Sequence, residues 1–218
     1  MDGDEARHLA KVRRVPVGAS IEIFDGEGNA WIAKVDRIER ASVFLVVENR
    51  IETVCTSRFR IILATAFPKG DRVDWLVEKA TELGVERIIP LLSTRSVVDP
   101  RLAKIDRLRR TVIEASKQCG RSRLMTIEPP RTWSDLAISR PSTHIRLLAH
   151  PDGDALPTLP SFDADSNIVL AIGPEGGFTQ DEVELGKREG WAMIGLGSTL
   201  LRVETAALAG VCAILFQK

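Results

Sequence analysis

The chain is poor in the residues that staple small secreted domains or hold structural metals. It has three cysteines in 218 residues, Cys55, Cys119 and Cys212. They form no CxxC pair and are odd in number, which argues against a disulfide framework and a zinc site. Its histidines, His8, His144 and His150, are too scattered for H-E-x-x-H or a zinc set, so no metal is expected. No apolar run approaches the roughly 20 residues that span a bilayer. The acidic opening, Met1-Asp-Gly-Asp-Glu, is unlike the basic start of a secretory leader. Net charge is missing too, since 30 basic side chains balance 30 acidic ones. With 44% hydrophobic and 28% charged residues, the composition is globular and excludes a disordered chain. The expectation is a soluble, reduced, cytoplasmic protein with no membrane partner.

The zero charge is a cancellation. Residues 1–58 carry 9 basic and 10 acidic side chains, residues 59–130 carry 14 and 9, and residues 131–218 carry 7 and 11. Within 101–123, Arg101, Lys104, Arg107, Arg109, Arg110, Lys117, Arg121 and Arg123 face only Asp106 and Glu114. A solvated helix face is the plain reading of such a run, and a phosphate-facing surface is its competitor.

Residues 12–54 read as short strands: Ser20-Ile-Glu-Ile-Phe, the turn cluster Asp25-Gly-Glu-Gly-Asn, Trp31-Ile-Ala-Lys-Val, and a β-rich run over 41–48. They predict a small β-barrel of about fifty residues, with the polar stretch from Glu48 to Arg60 as a linker. From Arg60 the pattern alternates. Strands are expected at 61–67, 87–92, 144–149, 168–172 and 192–196. Helices are expected from about Val73 to Gly84, along the basic segment, and at 180–189 and 204–216. The basic helix has the apolar stripe Leu102, Ile105, Leu108, Val112, Ala115 and Cys119, with Arg107, Arg110 and Lys117 opposite. Cys119 is therefore expected in the core, the alternative being a thiolate activated by Arg121. Thr179-Gln-Asp-Glu is a capping box, and the last helix is apolar on nearly every face. Such a helix is expected to be buried against the sheet or a second subunit. Alternating strands and helices argue for a mostly parallel sheet.

Two glycine-rich turns follow apolar strands: Ile168-Val-Leu-Ala-Ile-Gly-Pro-Glu-Gly-Gly-Phe and Gly195-Leu-Gly-Ser-Thr-Leu-Leu-Arg-Val-Glu-Thr. In open α/β sheets, ligands bind where strands end, and glycine lets backbone approach them closely. Each turn alone reads as a tight connection, but together they point to one small-molecule site. The second lacks the third glycine of G-x-G-x-x-G. The chain also has no G-x-x-x-x-G-K-[ST] and no G-x-S-x-G, which disfavours dinucleotide, nucleoside-triphosphate and serine-hydrolase chemistry.

Four stretches carry a resemblance: Ile172-Gly-Pro-Glu-Gly-Gly-Phe, Leu196-Gly-Ser-Thr-Leu-Leu-Arg-Val-Glu-Thr-Ala, Glu78-Lys-Ala-Thr-Glu-Leu-Gly-Val and Glu114-Ala-Ser-Lys-Gln-Cys-Gly-Arg. Together the chain resembles the RsmE family, 16S ribosomal RNA uridine-N3 methyltransferases of the SPOUT superfamily. The resemblance implies an α/β fold in which a small N-terminal PUA-like β-barrel (1–56) precedes a C-terminal trefoil-knotted SPOUT methyltransferase domain (57–218). It also implies a homodimer, S-adenosylmethionine as cofactor, and 16S ribosomal RNA or the small ribosomal subunit as partner. By the same resemblance, Gly173, Pro174, Glu175, Gly176 and Gly177, with Leu196, Gly197, Ser198, Leu200, Leu201 and Arg202, would hold the cofactor. Backbone at Leu148, Ala149 and His150 would form a third side. His8, Arg13 and Arg14 would help grip RNA, and Arg110, Lys117, Arg121 and Arg123 would take phosphates. The family's usual strand ahead of the His8 stretch is expected to be shortened or missing. For the chemistry, Arg202 is the candidate to stabilise a uridine oxyanion, and Glu204 or Glu175 to take the N3 proton. Glu204 reads equally well as a helix N-terminal charge, worth roughly 0.3–1 kcal/mol. A ribose 2′-hydroxyl methyltransferase and a non-catalytic RNA-binding assembly factor remain as rival readings.

Overall fold

Strand pairing separates the chain into an antiparallel part and a parallel part. The computed structural model describes residues 1–40, 42–52, 60–100, 105–139, 144–155 and 167–216. Cys55, Arg101, Leu102, Lys104, most of the expected linker and the 56/57 boundary lie outside the described residues. Two units form: Met1–Cys55 together with Arg121–Arg123, and Thr56–Gly120 together with Leu124–Lys218.

In the first unit, helix α1 (Gly3–Arg7) runs into a π-type turn, His8–Val12. Strands β1 (Ser20–Phe24), β2 (Ala30–Ile38) and β3 (Val43–Ile51) then form an antiparallel sheet in sequence order. β3 takes up the start of the expected linker. Ahead of His8, Asp2 makes an isolated antiparallel bridge with Ser42, and the Val43 N–H donates to the Met1 carbonyl at 2.9 Å. The β1–β2 turn forms because Asp25 accepts from the Glu27 and Asn29 N–H groups at 2.7 and 3.1 Å and from the Asn29 side chain at 2.6 Å. The Asn29 side chain is the main cause holding the Asp25 carboxyl below its ordinary value. Ala6, Val35 and Val43 make a small core, flanked by Leu9, Ile21 and Leu45.

The second unit is a sheet of parallel strands: β4 (Arg60–Thr65), β5 (Arg87–Leu92), β6 (Thr126–Ile127), β7 (Arg131–Thr132), β8 (His144–Asp154), β9 (Asn167–Ile172) and β10 (Ala192–Ile194). The order is β10-β8-β9-β4-β5-β6, and β7 also pairs with β5. Between them run α2 (Arg72–Glu82), α3 (Ile105–Cys119), α4 (Trp133–Ile138), α5 (Gln180–Arg188) and α6 (Val203–Leu215). The period-2 alternation of strands decides which core each side chain joins. Ile61 and Leu63 pack with Leu76, Leu108, Val211 and Ile214 of α2, α3 and α6. Ile62 and Ala64 join Trp133, Leu136, Val183 and Trp191 on the other face. There the Trp133 ring sits 5.0 Å from Trp191 and 4.8 Å from Phe178, and its Nε1–H donates to the Glu182 carbonyl at 2.8 Å.

Two sequence expectations change here, and one helix is added. Cys119 is exposed, because α3 ends on it and its last turn runs past the core; Ser116 is buried in its stead. Helix α4 carries no long periodic signal; a Thr132 cap accepting from the Asp135 N–H at 3.1 Å starts it. Helix α6 buries Val203, Glu204, Ala207, Gly210, Val211 and Ile214, which is one face rather than all, and Phe216 just beyond it is 78% exposed.

One crossing sets the geometry of the β10 edge. β10 pairs with β8 at Leu147 and Leu148 and then jumps to Asp154, so residues 149–153 leave the ladder. The Gly195 N–H closes this excursion on the Asp154 carbonyl at 2.7 Å. A Cβ on Gly153 would lie 2.3 Å from the Ile194 carbonyl carbon, and one on Gly195 would lie 2.6 Å from the Gly153 oxygen. Only glycine fits either position. Trp133→Ala is expected to cost about 3–5 kcal/mol, read by urea denaturation, with Gly153→Ala also destabilising because backbone cannot rotate aside.

Candidate functional site

The cavity arises where three adjacent strands stop pairing. β8 pairs with β9 only through Leu148, opposite Ala171, after which residues 149–153 loop out. β9 ends at Ile172 and runs into 173–177, and β10 ends at Ile194 ahead of 196–201. These three strand ends enclose a cavity of about 520 Å³, within the usual ligand-pocket range of roughly 300–1,000 Å³.

Most of the residues expected at the cofactor site meet here. Ala149, His150, Gly173, Pro174, Glu175, Gly176, Gly177, Leu196, Gly197, Ser198, Leu200 and Leu201 all line the cavity. Leu148 does not; it is fully buried in the core beneath. Arg202 and Glu204 are also off the wall. Arg202 is the N-cap residue of α6, exposed, and its side chain has no hydrogen bond or ion pair among the described residues. Glu204 is buried in the first turn of α6 and is held by Arg72. Arg95 and Pro151 also line the cavity and lie outside the sequence motifs, while Phe178 and Thr199 line it from within them. Arg95 follows β5, so the rule that ligands gather at strand ends was its available signal.

The walls are braced by their neighbours. Thr179 and Glu182 make the expected capping box at the start of α5, with the Thr179 N–H donating to Glu182 at 2.8 Å. The other Glu182 oxygen accepts from the Thr94 N–H at 2.8 Å and its hydroxyl at 3.0 Å. Arg95 Nη1 donates to the Gly176 carbonyl at 2.7 Å. Within the excursion, the Asp152 N–H donates to His150 Nδ1 at 3.2 Å. Among the wall glycines, two show where a side chain would be strained or crowded. Gly197 has φ of +117°, and a Cβ on Gly173 would press the Phe178 ring at 3.0 Å. The cavity thus offers backbone groups and apolar side chains such as Ile172, Leu196, Val203 and Ala206, with few charges.

The expected RNA-facing residues are distributed over both units. His8, Arg13, Arg14 and Arg123 are exposed in the first unit, and Arg121 is half-buried there. In α3, Lys117 pairs with Glu114 at 2.9 Å, Arg109 with Asp106 at 3.2 Å, and Arg107 reaches Asp74 of α2 at 2.7 Å. Arg110 is exposed and its side chain has no partner among the described residues. No group of His, Cys, Asp and Glu among the described residues is arranged to hold a metal ion. Among the same residues no helix is long and apolar enough to cross a membrane.

A parallel α/β sheet with a glycine-walled cavity at adjacent strand ends, on a chain that also carries a small antiparallel unit, defines a two-unit α/β protein built around a small-molecule site. Comparison with known proteins places it further. Residues 55–215 match the RNA methyltransferase domain family and residues 1–48 the RNA methyltransferase PUA domain family. The chain belongs to the RsmE family of RNA methyltransferases. It is 32% identical to the ribosomal RNA small subunit methyltransferase E of Synechocystis sp., over 97% of this chain and 71% of that one. It is 29% identical to the protein of that name from Bacillus subtilis, over 99% and 88%. Among solved structures, a ribosomal RNA small subunit methyltransferase E from Neisseria gonorrhoeae, bound to S-adenosylmethionine, superposes with a TM-score of 0.89. It is 30% identical, covering 98% of this chain and 89% of that one. A probable rRNA-methyltransferase from Porphyromonas gingivalis gives a TM-score of 0.86 at 30% identity, over 97% and 90%.

Because Glu182 serves both the α5 cap and Thr94, Glu182→Ala is expected to lower stability by about 0.5–2 kcal/mol. Thermal unfolding measures that loss, and faster amide exchange at residues 93–96 would accompany it.

Proposed function

We propose that the protein transfers a methyl group from S-adenosylmethionine to N3 of a uridine in 16S ribosomal RNA, working in the cytoplasm as a homodimer on the RNA or the small ribosomal subunit. The carrying observation is that the cavity forms where the family's glycine motifs sit, on three adjacent strand ends. Its volume, apolar walls and exposed backbone suit an adenosine-sized molecule with a short polar tail. Residues 149–150, 173–177 and 196–201 would hold the donor, with Leu148 fixing the first of these from beneath. When bound, S-adenosylmethionine supplies an electrophilic methyl on a sulfonium.

The protein's share of the reaction is to position the base and manage a proton. Loss of the N3 proton leaves an anionic uridine, for which the guanidinium of Arg202, unpaired among the described residues, is the candidate cation. Both candidate carboxylates contact Arg72, but Glu175 lines the cavity and is 39% exposed whereas Glu204 is buried off its wall, so Glu175 is assigned the N3 proton. A target uridine with N3 exposed is unpaired, so the base must enter unstacked. His8, Arg13, Arg14, Arg110, Lys117, Arg121 and Arg123 are assigned to RNA phosphates, those without carboxylate partners contributing most.

The family reading also carries finer architecture. The domain division is 1–56 and 57–218, the first a PUA-like barrel and the second a trefoil knot. Support for the knot is the backbone crossing at Gly153 and Gly195, after which α6 returns to pack on β4 and β9. Support for the dimer is the half-exposed outer side of α6, with Leu200 at 88% and Phe216 at 78% exposed nearby.

Loss of a single 3-methyluridine from the ribosomal RNA of cells lacking this protein, located by nucleoside mass spectrometry, is the expected result; a lost ribose methyl would refute it. Arg202→Ala should cut turnover on small subunits by about 10²–10³-fold while calorimetry shows unchanged donor binding. Log affinity for RNA should fall linearly with log salt, and a flat dependence would remove the phosphate assignment.

A further inference from the structure

Arg72 belongs to none of the sequence motifs, yet it contacts Glu175 in the 173–177 loop and Glu204 in the first turn of α6, just beyond the 196–202 loop. It opens α2, and its Nε donates to the Lys69 carbonyl at 3.3 Å. Its Nη1 donates to both carboxylate oxygens of Glu204, at 3.2 and 3.5 Å. Its Nη2 lies 3.6 Å from Oε1 of Glu175. Glu175 stands in the loop that follows β9, and Glu204 in the helical turn that follows the 196–202 loop. One cation on a packed helix thus ties the 173–177 loop to the helix turn that ends the 196–202 loop.

The two arms differ in kind. The Glu204 side chain is 8% exposed, and Arg72 is its only ion-pair partner among the described residues. A carboxylate stripped of water and left without its partner is strongly destabilising. The Glu175 arm is longer, with side chains 37% and 39% exposed, so screening leaves it little energy by itself. Its effect is orientational. Lys69 and Glu204 fix the planar guanidinium, and Glu175 meets a charge already in place.

We propose that Arg72 is a positioning residue that holds the 173–177 and 196–202 loops in the donor-binding arrangement, acting through Glu175 and Glu204. The inference rests on reading the cavity as the methyl-donor site. Glu204 is then the buried counter-charge of the clamp, and Glu175 is oriented by it.

The test uses the full chain with Arg72→Met, Arg72→Lys and the double variant Arg72→Met/Glu204→Met. Readouts are calorimetry with S-adenosylhomocysteine, thermal unfolding of the unliganded protein, and amide exchange at the two loops. Arg72→Met should weaken S-adenosylhomocysteine binding about ten- to a hundred-fold and speed exchange in both loops together. The donor KM should rise more than kcat falls, and Arg72→Lys should recover part of the affinity. The double variant removes the orphaned buried charge, so it should regain thermal stability while binding stays weak. It also answers the question if Arg72→Met alone does not fold. Binding at the unsubstituted level in Arg72→Met, or affinity that returns together with stability in the double variant, overturns the clamp alone. An unsubstituted protein that does not bind S-adenosylhomocysteine overturns the donor reading and the clamp with it.

Discussion

The contact on which the rest of the second unit depends is the one between two stretches of bare backbone, at Gly153 and Gly195. Neither position has room for a single methyl group, and the Gly195 N–H is bonded across the gap. That contact fixes where β8 returns to its ladder after residues 149–153, and so where β10 ends. The cavity is the space left over by this arrangement. Its third wall exists because β8 is longer than its pairing with β9 allows, and five residues must go somewhere.

Much of this was legible in the chain. Apolar strands running into glycine turns pointed to 173–177 and 196–201, which line the cavity, because a strand end and a glycine-permitted backbone are both local features. The capping box at Thr179 was equally local. What escaped was set by sheet order. Arg72 follows β4 and Arg95 follows β5, and they reach the site only because β4 lies beside β9 and β5 beside β4. Nothing in the spacing of residues 72, 95, 175 and 204 announces that neighbourhood. Cys119 failed for the opposite reason: helical periodicity assigned it to a face but could not say that the core ends one turn earlier.

The basic segment teaches a related lesson about charge. Counted along the chain it is a one-sided run, yet Arg107 reaches across to α2 and finds Asp74. Lys117 and Arg109 find carboxylates three residues away. Such exposed pairs are weak, each worth at most about 1 kcal/mol, and a polyanion could compete for them. A local excess of cations therefore marks a surface available to phosphate only after the folded neighbours have been counted.

The cavity wall is built largely of main chain: a strand excursion and two glycine loops. Main-chain amides and carbonyls are the same whatever side chain they carry. A site of this kind tolerates wide drift in sequence so long as loop lengths and the few obligatory glycines are kept. Its ligand preference is correspondingly hard to retune by exchanging one residue for another; insertion or deletion in a loop is the change to which it is sensitive.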